Sequence, residues 1–120
     1  MKLSRCQEEV LLRGLDHWIH AAEVAFVAGK VGGAGTADRR RELSIAAITD
    51  LLSRGLIPIG MVTDSGFQTW GLADVDAIQR AENDWRDLAR DPGLGELFWL
   101  NLTPEGQRLA NEIWANQKSP

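Results

Sequence analysis

The sequence has one cysteine, no tyrosine and no apolar run approaching the ~18 residues that a membrane span requires. Without a second cysteine, Cys6 cannot close an internal disulfide, which fits a reducing compartment. The first ten residues, MKLSRCQEEV, are charged where a secretory signal has its apolar stretch. Positive charge is scarce in the second half. Residues 64–112 hold four arginines against ten carboxylates, whereas residues 1–63 hold eight Lys/Arg against seven acids. A nucleic acid could therefore approach only the first half, because the second would repel phosphate. The expectation is a cytoplasmic chain that spans no membrane. With 120 residues, 44% hydrophobic and 25% charged, it is long enough for one core and too short for two, so residues 1–120 are expected to form a single domain.

Repeats and low-complexity tails are also absent. The loosest stretch is GKVGGAGTA (29–37), with four glycines in seven positions. Before it, Leu12, Leu15, Ile19, Ala22 and Phe26 recur at helical spacing, with Leu11 and Trp18 widening the face. Gly14 and Asp16 in the region of LDHWIH offer a break, so 4–29 is either one bent helix or two short ones, and two are expected. After it, a helix over 38–54 places Ser44, Ala47, Ile48, Leu51 and Leu52 inward. Thr36 or Asp38 can cap its start, and Gly55 suits its left-handed end.

LIPIGMVT (56–63) alternates as a strand, and Pro58 predicts an edge or two-stranded position for it. DSGF follows as a turn. ADVDAIQRAENDWRDLARD predicts an amphipathic helix over 74–90, with Val75, Ile78, Ala81, Trp85 and Leu88 as its stripe. ELFWLNLT is apolar on both faces and reads as a second strand. Thr103 can cap a last helix with Pro104 at its first position, and Leu109, Ala110, Ile113 and Trp114 would dock it. The predicted fold class is α+β and mostly helical: a two-stranded antiparallel wing (57–63 with 96–102) interrupted by the inserted helix 74–90.

The succession LLSRGLIPIG, a later strand and LTPEGQRLA resembles the recognition helix, wing strands and final helix of winged-helix proteins, most closely the MarR and PadR classes of bacterial regulator. The resemblance runs through Arg39–Ile113 in order. The chain is also similar to small bacterial winged-helix-like proteins known for little beyond their fold. The resemblance implies a DNA-binding helix at 38–54, with Arg39, Arg40, Arg41 and Arg54 as nucleic-acid contacts. It also implies a homodimer pairing through the terminal helices, here 104–116 or the first helix.

The charges argue otherwise. Asp74, Asp76, Glu82, Asp84, Asp87 and Asp91 fall where a wing tip would meet phosphate, and Glu42 and Asp50 face outward on the helix that would read bases. The leading expectation is a non-enzymatic protein-interaction or regulatory module, accessory, antitoxin-like or immunity-like, whose acidic half faces a basic partner. Trp70, in a loop without periodic neighbours, and Asp84, Asp87 and Asp91 are its interface candidates. A DNA-binding transcriptional regulator is the alternative.

No catalytic, cofactor-binding or metal-binding residues are expected. His17, His20 and Glu23 are spaced for metal ligation but lack a fourth ligand nearby. Cys6 has only Arg5 beside it to lower its pKa. GKVGGAGT has the wrong order for a phosphate loop, and a helix precedes it where a strand belongs. The carboxylates of 74–91 lie along a solvent face without a desolvated pairing that would divide acid from base.

Overall fold

The computed structural model describes residues 2–118, and these form an α+β fold of five helices and a four-stranded antiparallel sheet. Helix α1 (Arg5–Gly14) opens on a reciprocal cap. The Ser4 hydroxyl accepts the Gln7 backbone N–H at 3.1 Å, while the Gln7 side chain accepts the Ser4 N–H at 2.8 Å. The chain then turns into a two-residue strand, β1 (Ile19–His20), and enters α2 (Ala21–Lys30).

Two helices thus occupy the first region, as expected, but a strand separates them, and His20 rather than Asp16 stands at the second N-terminus. That strand resets the helical phase. Of the expected stripe Leu12, Leu15, Ile19, Ala22 and Phe26, Ile19 is buried and Leu15 packs against the core, but Trp18 and Phe26 turn outward, and Val10, Leu11, Val24, Ala25 and Val27 are buried beside Ile19. Periodicity carries a face only while the helix is unbroken. The glycine-rich stretch is a tight connection rather than a loose one, with Val31 N–H on Val27 O at 2.8 Å and Ala34 N–H on Ala28 O at 3.1 Å.

Helix α3 (Ala37–Ser53) starts at Thr36, whose hydroxyl accepts the Arg39 N–H at 3.1 Å. It ends in a Schellman motif. Gly55 is left-handed at φ 72°, its N–H reaches Leu52 O at 2.9 Å, and Leu56 N–H reaches Leu51 O at 3.0 Å. Leu51 and Leu56 are both buried there, supplying the apolar contact that accompanies the motif.

Three further elements complete the sheet and its surroundings: β2 (Ile59–Thr63), β3 (Gly66–Thr69) and, after α4 (Asp74–Leu88), β4 (Trp99–Leu100). The order is β1-β4-β2-β3. The predicted pairing of 57–63 with 96–102 is present, antiparallel, with Ile59 opposite Leu100 and Gly60 opposite Trp99. The predicted two-stranded wing needs correction, however. β2 turns back at once into β3 through Asp64 and Ser65, and β4 joins β2 on the other side. Helix α4 therefore follows a closed hairpin. β2 lies inside the sheet despite Pro58, because that residue precedes the strand and contributes only its carbonyl, which accepts Asn101 N–H at 3.3 Å.

Helix α1 packs on α2 and on α5 (Pro104–Lys118), α2 packs on α3, and α3 packs on α4. The core gathers Leu11, Ile19, Ile48, Leu51, Trp85, Phe98 and Leu100, with the Trp85 and Phe98 rings 6.0 Å apart. On α4, Ala77, Ala81 and Trp85 are buried, but Val75 in the first turn is 74% exposed and stands clear of the core. Trp114 is likewise 48% exposed, lying along the groove between α1 and α5 instead of inside it.

The RGLI and LTPEG motifs touch. Thr103 N–H bonds to Leu56 O at 3.1 Å, and the Thr103 hydroxyl donates to Gly55 O at 2.7 Å while its Oγ1 accepts the Gly106 N–H at 3.0 Å. The end of α3 and the start of α5 are one clasp.

Helix α4 stops at Leu88, two residues short of the predicted end, because Ala89 adopts the left-handed conformation at φ 59°. That conformation costs a residue with a Cβ about 1–2 kcal/mol. Ala89→Gly is expected to raise the unfolding free energy by about 0.5–1 kcal/mol, the larger chain entropy of unfolded glycine offsetting part of the gain. Urea titration followed by tryptophan fluorescence measures the difference.

Candidate functional site

The residues singled out from sequence lie on two surfaces joined by an ion pair. On α3 and at its C-cap, each of the four arginines is engaged by a carboxylate. Arg39 bonds to Glu42 at 3.1 Å, Arg41 to Asp38 at 3.0 Å, and Arg54 to Asp50 at 2.9 Å. Asp50 also accepts from the Gln7 side chain at 2.7 Å, so this corner is fastened to α1. Arg40 makes a two-pronged bond to Asp91, with Nη2 at 2.7 Å and Nε at 3.1 Å, and a third bond to Ala34 O at 3.3 Å. Such forked arginine–carboxylate bonds are the strong form of surface ion pair. Arg40 and Asp91, assigned from sequence to different candidate surfaces, are partners. Together they tie the start of α3 to the end of α4.

The outward face of α4 carries Asp74, Asp76, Glu82, Asp84 and Asp87 against Arg80 and Arg86. Asp84 lies 3.8 Å from Arg80 and Glu82 3.4 Å from Arg86, whereas Asp87 is exposed and forms no ion pair among the described residues. Trp70 is half-buried. Its ring meets Phe98 edge-on at 6.4 Å, and the Arg80 guanidinium covers its other side at 3.9 Å. Its indole Nε1–H is buried without an acceptor.

A third feature was not foreseen. Trp18, Phe26 and Trp99 wall an open cleft of about 570 Å³ between the end of α1, β1 and α2. Arg13 lies over the Phe26 ring at 5.5 Å and bonds to Glu23 at 3.0 Å, while His17 Nε2 meets Glu23 at 2.8 Å. The available signal was the pair Trp18 and Phe26, read as an inward stripe because the strand between them was not recognised.

His20 stands edge-on to Trp99 at 5.1 Å, and burial pushes its pKa below the ordinary 6.5. At the loop before β4, Arg90 and the Gly93 N–H hold Glu96 down to about 2 from its ordinary 4.5. Both shifts have the same sign for stability, because in each case the unfolded chain takes up the proton first. Stability is expected to fall as pH drops below 6.5 through His20, and again from 4.5 towards 2 through Glu96. Urea midpoints measured across pH should lose the upper step in His20→Phe and the lower step in Glu96→Gln.

Among the described residues no group of three His, Cys, Asp or Glu side chains is placed to hold a metal ion. Cys6 is buried, and that burial raises its thiol pKa above 9.0, which keeps it protonated rather than nucleophilic. No helix among the described residues is long and apolar enough to cross a membrane. No protein-family model, curated protein or solved structure matches this chain.

Proposed function

We propose that this chain is a non-enzymatic, cytoplasmic protein-interaction module on a winged-helix-like scaffold, in an accessory, antitoxin-like or immunity-like role, whose acidic second half receives a basic partner. The scaffold reading is supported by the order helix, short strand, two helices, hairpin and return strand, and by the clasp between RGLI and LTPEG. One observation carries the choice of partner: Arg39, Arg40, Arg41 and Arg54 are each held by a carboxylate, while Asp74, Asp76 and Asp87 stand exposed. Phosphate would have to compete with those carboxylates for each of these four arginines, and the acidic second half would repel it. On α4 a basic protein surface meets no such competition at Asp74, Asp76 and Asp87, while Arg80 and Arg86 already lie beside Asp84 and Glu82.

The test is capture of partners from cells with the wild-type chain and with Asp84→Lys/Asp87→Lys. Loss of the captured proteins is expected on charge reversal, with folding checked by circular dichroism. An unchanged set would count against the acidic face. The DNA-binding alternative is checked in parallel by anisotropy titration on genomic fragments at low and high salt, where saturable binding that weakens with salt would favour it.

A further inference from the structure

The sheet order leaves β3 with a neighbour on one side only. Trp70 N–H bonds to Ile59 O at 3.1 Å, and Thr69 stands opposite Gly60, Phe67 opposite Val62. Hydrogen-bonded and non-bonded pairs alternate along an antiparallel ladder, so Gly66, Gln68 and Trp70 direct their backbone groups towards β2. Phe67 and Thr69 then turn theirs to the open edge. Two outward residues at this spacing are what an added strand engages. Open edges are commonly guarded by lysine, proline or a bulge. From Gly66 to Ala73 this chain has no charge and no proline.

We propose that β3 accepts an extended basic segment of a partner protein as a fifth strand. This rests on the interaction-module reading and names where the partner docks. Between Gly55 and Gln79 the chain carries three carboxylates, Asp64, Asp74 and Asp76, and no cation. All three are exposed, and none is in an ion pair among the described residues. Asp64 sits in the hairpin turn and Asp74 and Asp76 in the first turn of α4, so they bracket the edge. The nearest arginine in sequence, Arg80, is folded over Trp70. A second copy of the chain fits poorly, because two-fold antiparallel pairing would bring the Asp64 end of one against the Asp74 and Asp76 end of the other.

The edge also leads into a cleft. Thr69 lines it together with Ser53, Pro58, Trp70 and Leu72, enclosing about 410 Å³. Leu72 is 44% exposed there, and the Trp70 indole N–H is a buried donor with no acceptor.

The test is a titration of the isotopically labelled full chain with acetylated Lys-Val-Lys-Val-Lys amide and with its glutamate counterpart, read by amide shifts and hydrogen exchange. The lysine peptide should bind roughly tenfold more tightly and slow exchange at the Phe67 and Thr69 amides. Reversing charge in Asp64→Lys/Asp74→Lys/Asp76→Lys should weaken it roughly tenfold. Thr69→Pro, which removes an outward N–H, should abolish the protection at Phe67. Should that variant not fold, the charge-reversed one carries the test. Lysine-peptide shifts confined to Asp84 and Asp87, with Phe67 and Thr69 exchanging freely, would overturn strand addition and leave the acidic-module reading standing. Binding of neither peptide would overturn it too. Concentration-dependent self-association with Phe67 and Thr69 protected would replace the basic segment by a second copy. The module reading fails separately, when reversal at Asp84 and Asp87 leaves the captured partners unchanged.

Discussion

Trp85→Ala is expected to lower the unfolding free energy by about 4 kcal/mol. Trp85 is 1% exposed in the last turn of α4, and its ring packs against Phe98 beside the sheet. Its small companions Ala77 and Ala81 bring the helix close but cannot fill the space a lost indole leaves. Removing so large a ring forfeits both its transfer from water and the contacts of its neighbours, because packed interiors relax only in part. Domains of this size have only about 5–15 kcal/mol in total, so the variant should be near its unfolding threshold. Urea denaturation gives the value, and Trp85→Phe, which keeps an aromatic ring, should lose about half as much. A loss below about 1 kcal/mol would mean that α4 is not fastened to the core.

Gly106→Ala is the second large effect, and here two contributions oppose each other. Alanine is the better helix former by about 1 kcal/mol, so propensity alone predicts stabilisation inside α5. A Cβ at this position, however, would lie 2.0 Å from Leu56 O and 3.0 Å from its carbonyl carbon. Backbone at that distance cannot be moved like the end of a flexible side chain. The start of α5 must shift outward, loosening Thr103 N–H from Leu56 O and the Thr103 hydroxyl from Gly55 O. Overpacking costs about 1–3 kcal/mol, and each weakened hydrogen bond about 1 kcal/mol. The net expectation is a loss of about 2 kcal/mol, or about 6–10 °C in midpoint by thermal denaturation. A rise in midpoint would show that the clasp between the two motifs does not hold α5.

Thr36 and Thr103 could be read as caps, Gly55 as a left-handed helix end and the α3 stripe as buried, because each depends on residues within one turn of helix. The antiparallel match of β2 with β4 followed from their being the two apolar extended runs. β1 and β3 were missed for the same reason in reverse. Two residues, or four lacking strong alternation, carry almost no periodic signal, and their extended form comes from the ladder partners they meet. Missing β1 put Trp18 and Phe26 on the wrong side, and with them the aromatic cleft.

By itself, the sequence determined the helix α3, the caps at Thr36 and Thr103, the left-handed end at Gly55 and the negative balance of the second half. These follow from backbone sterics, side-chain spacing and formal charge, all of which act over a few residues. Which carboxylate holds which arginine, that Arg40 is bound by Asp91 across 51 positions, and that β3 is left with an open edge were decided only by the tertiary structure. Those are relations between distant segments, and they exist only once packing has placed the segments side by side.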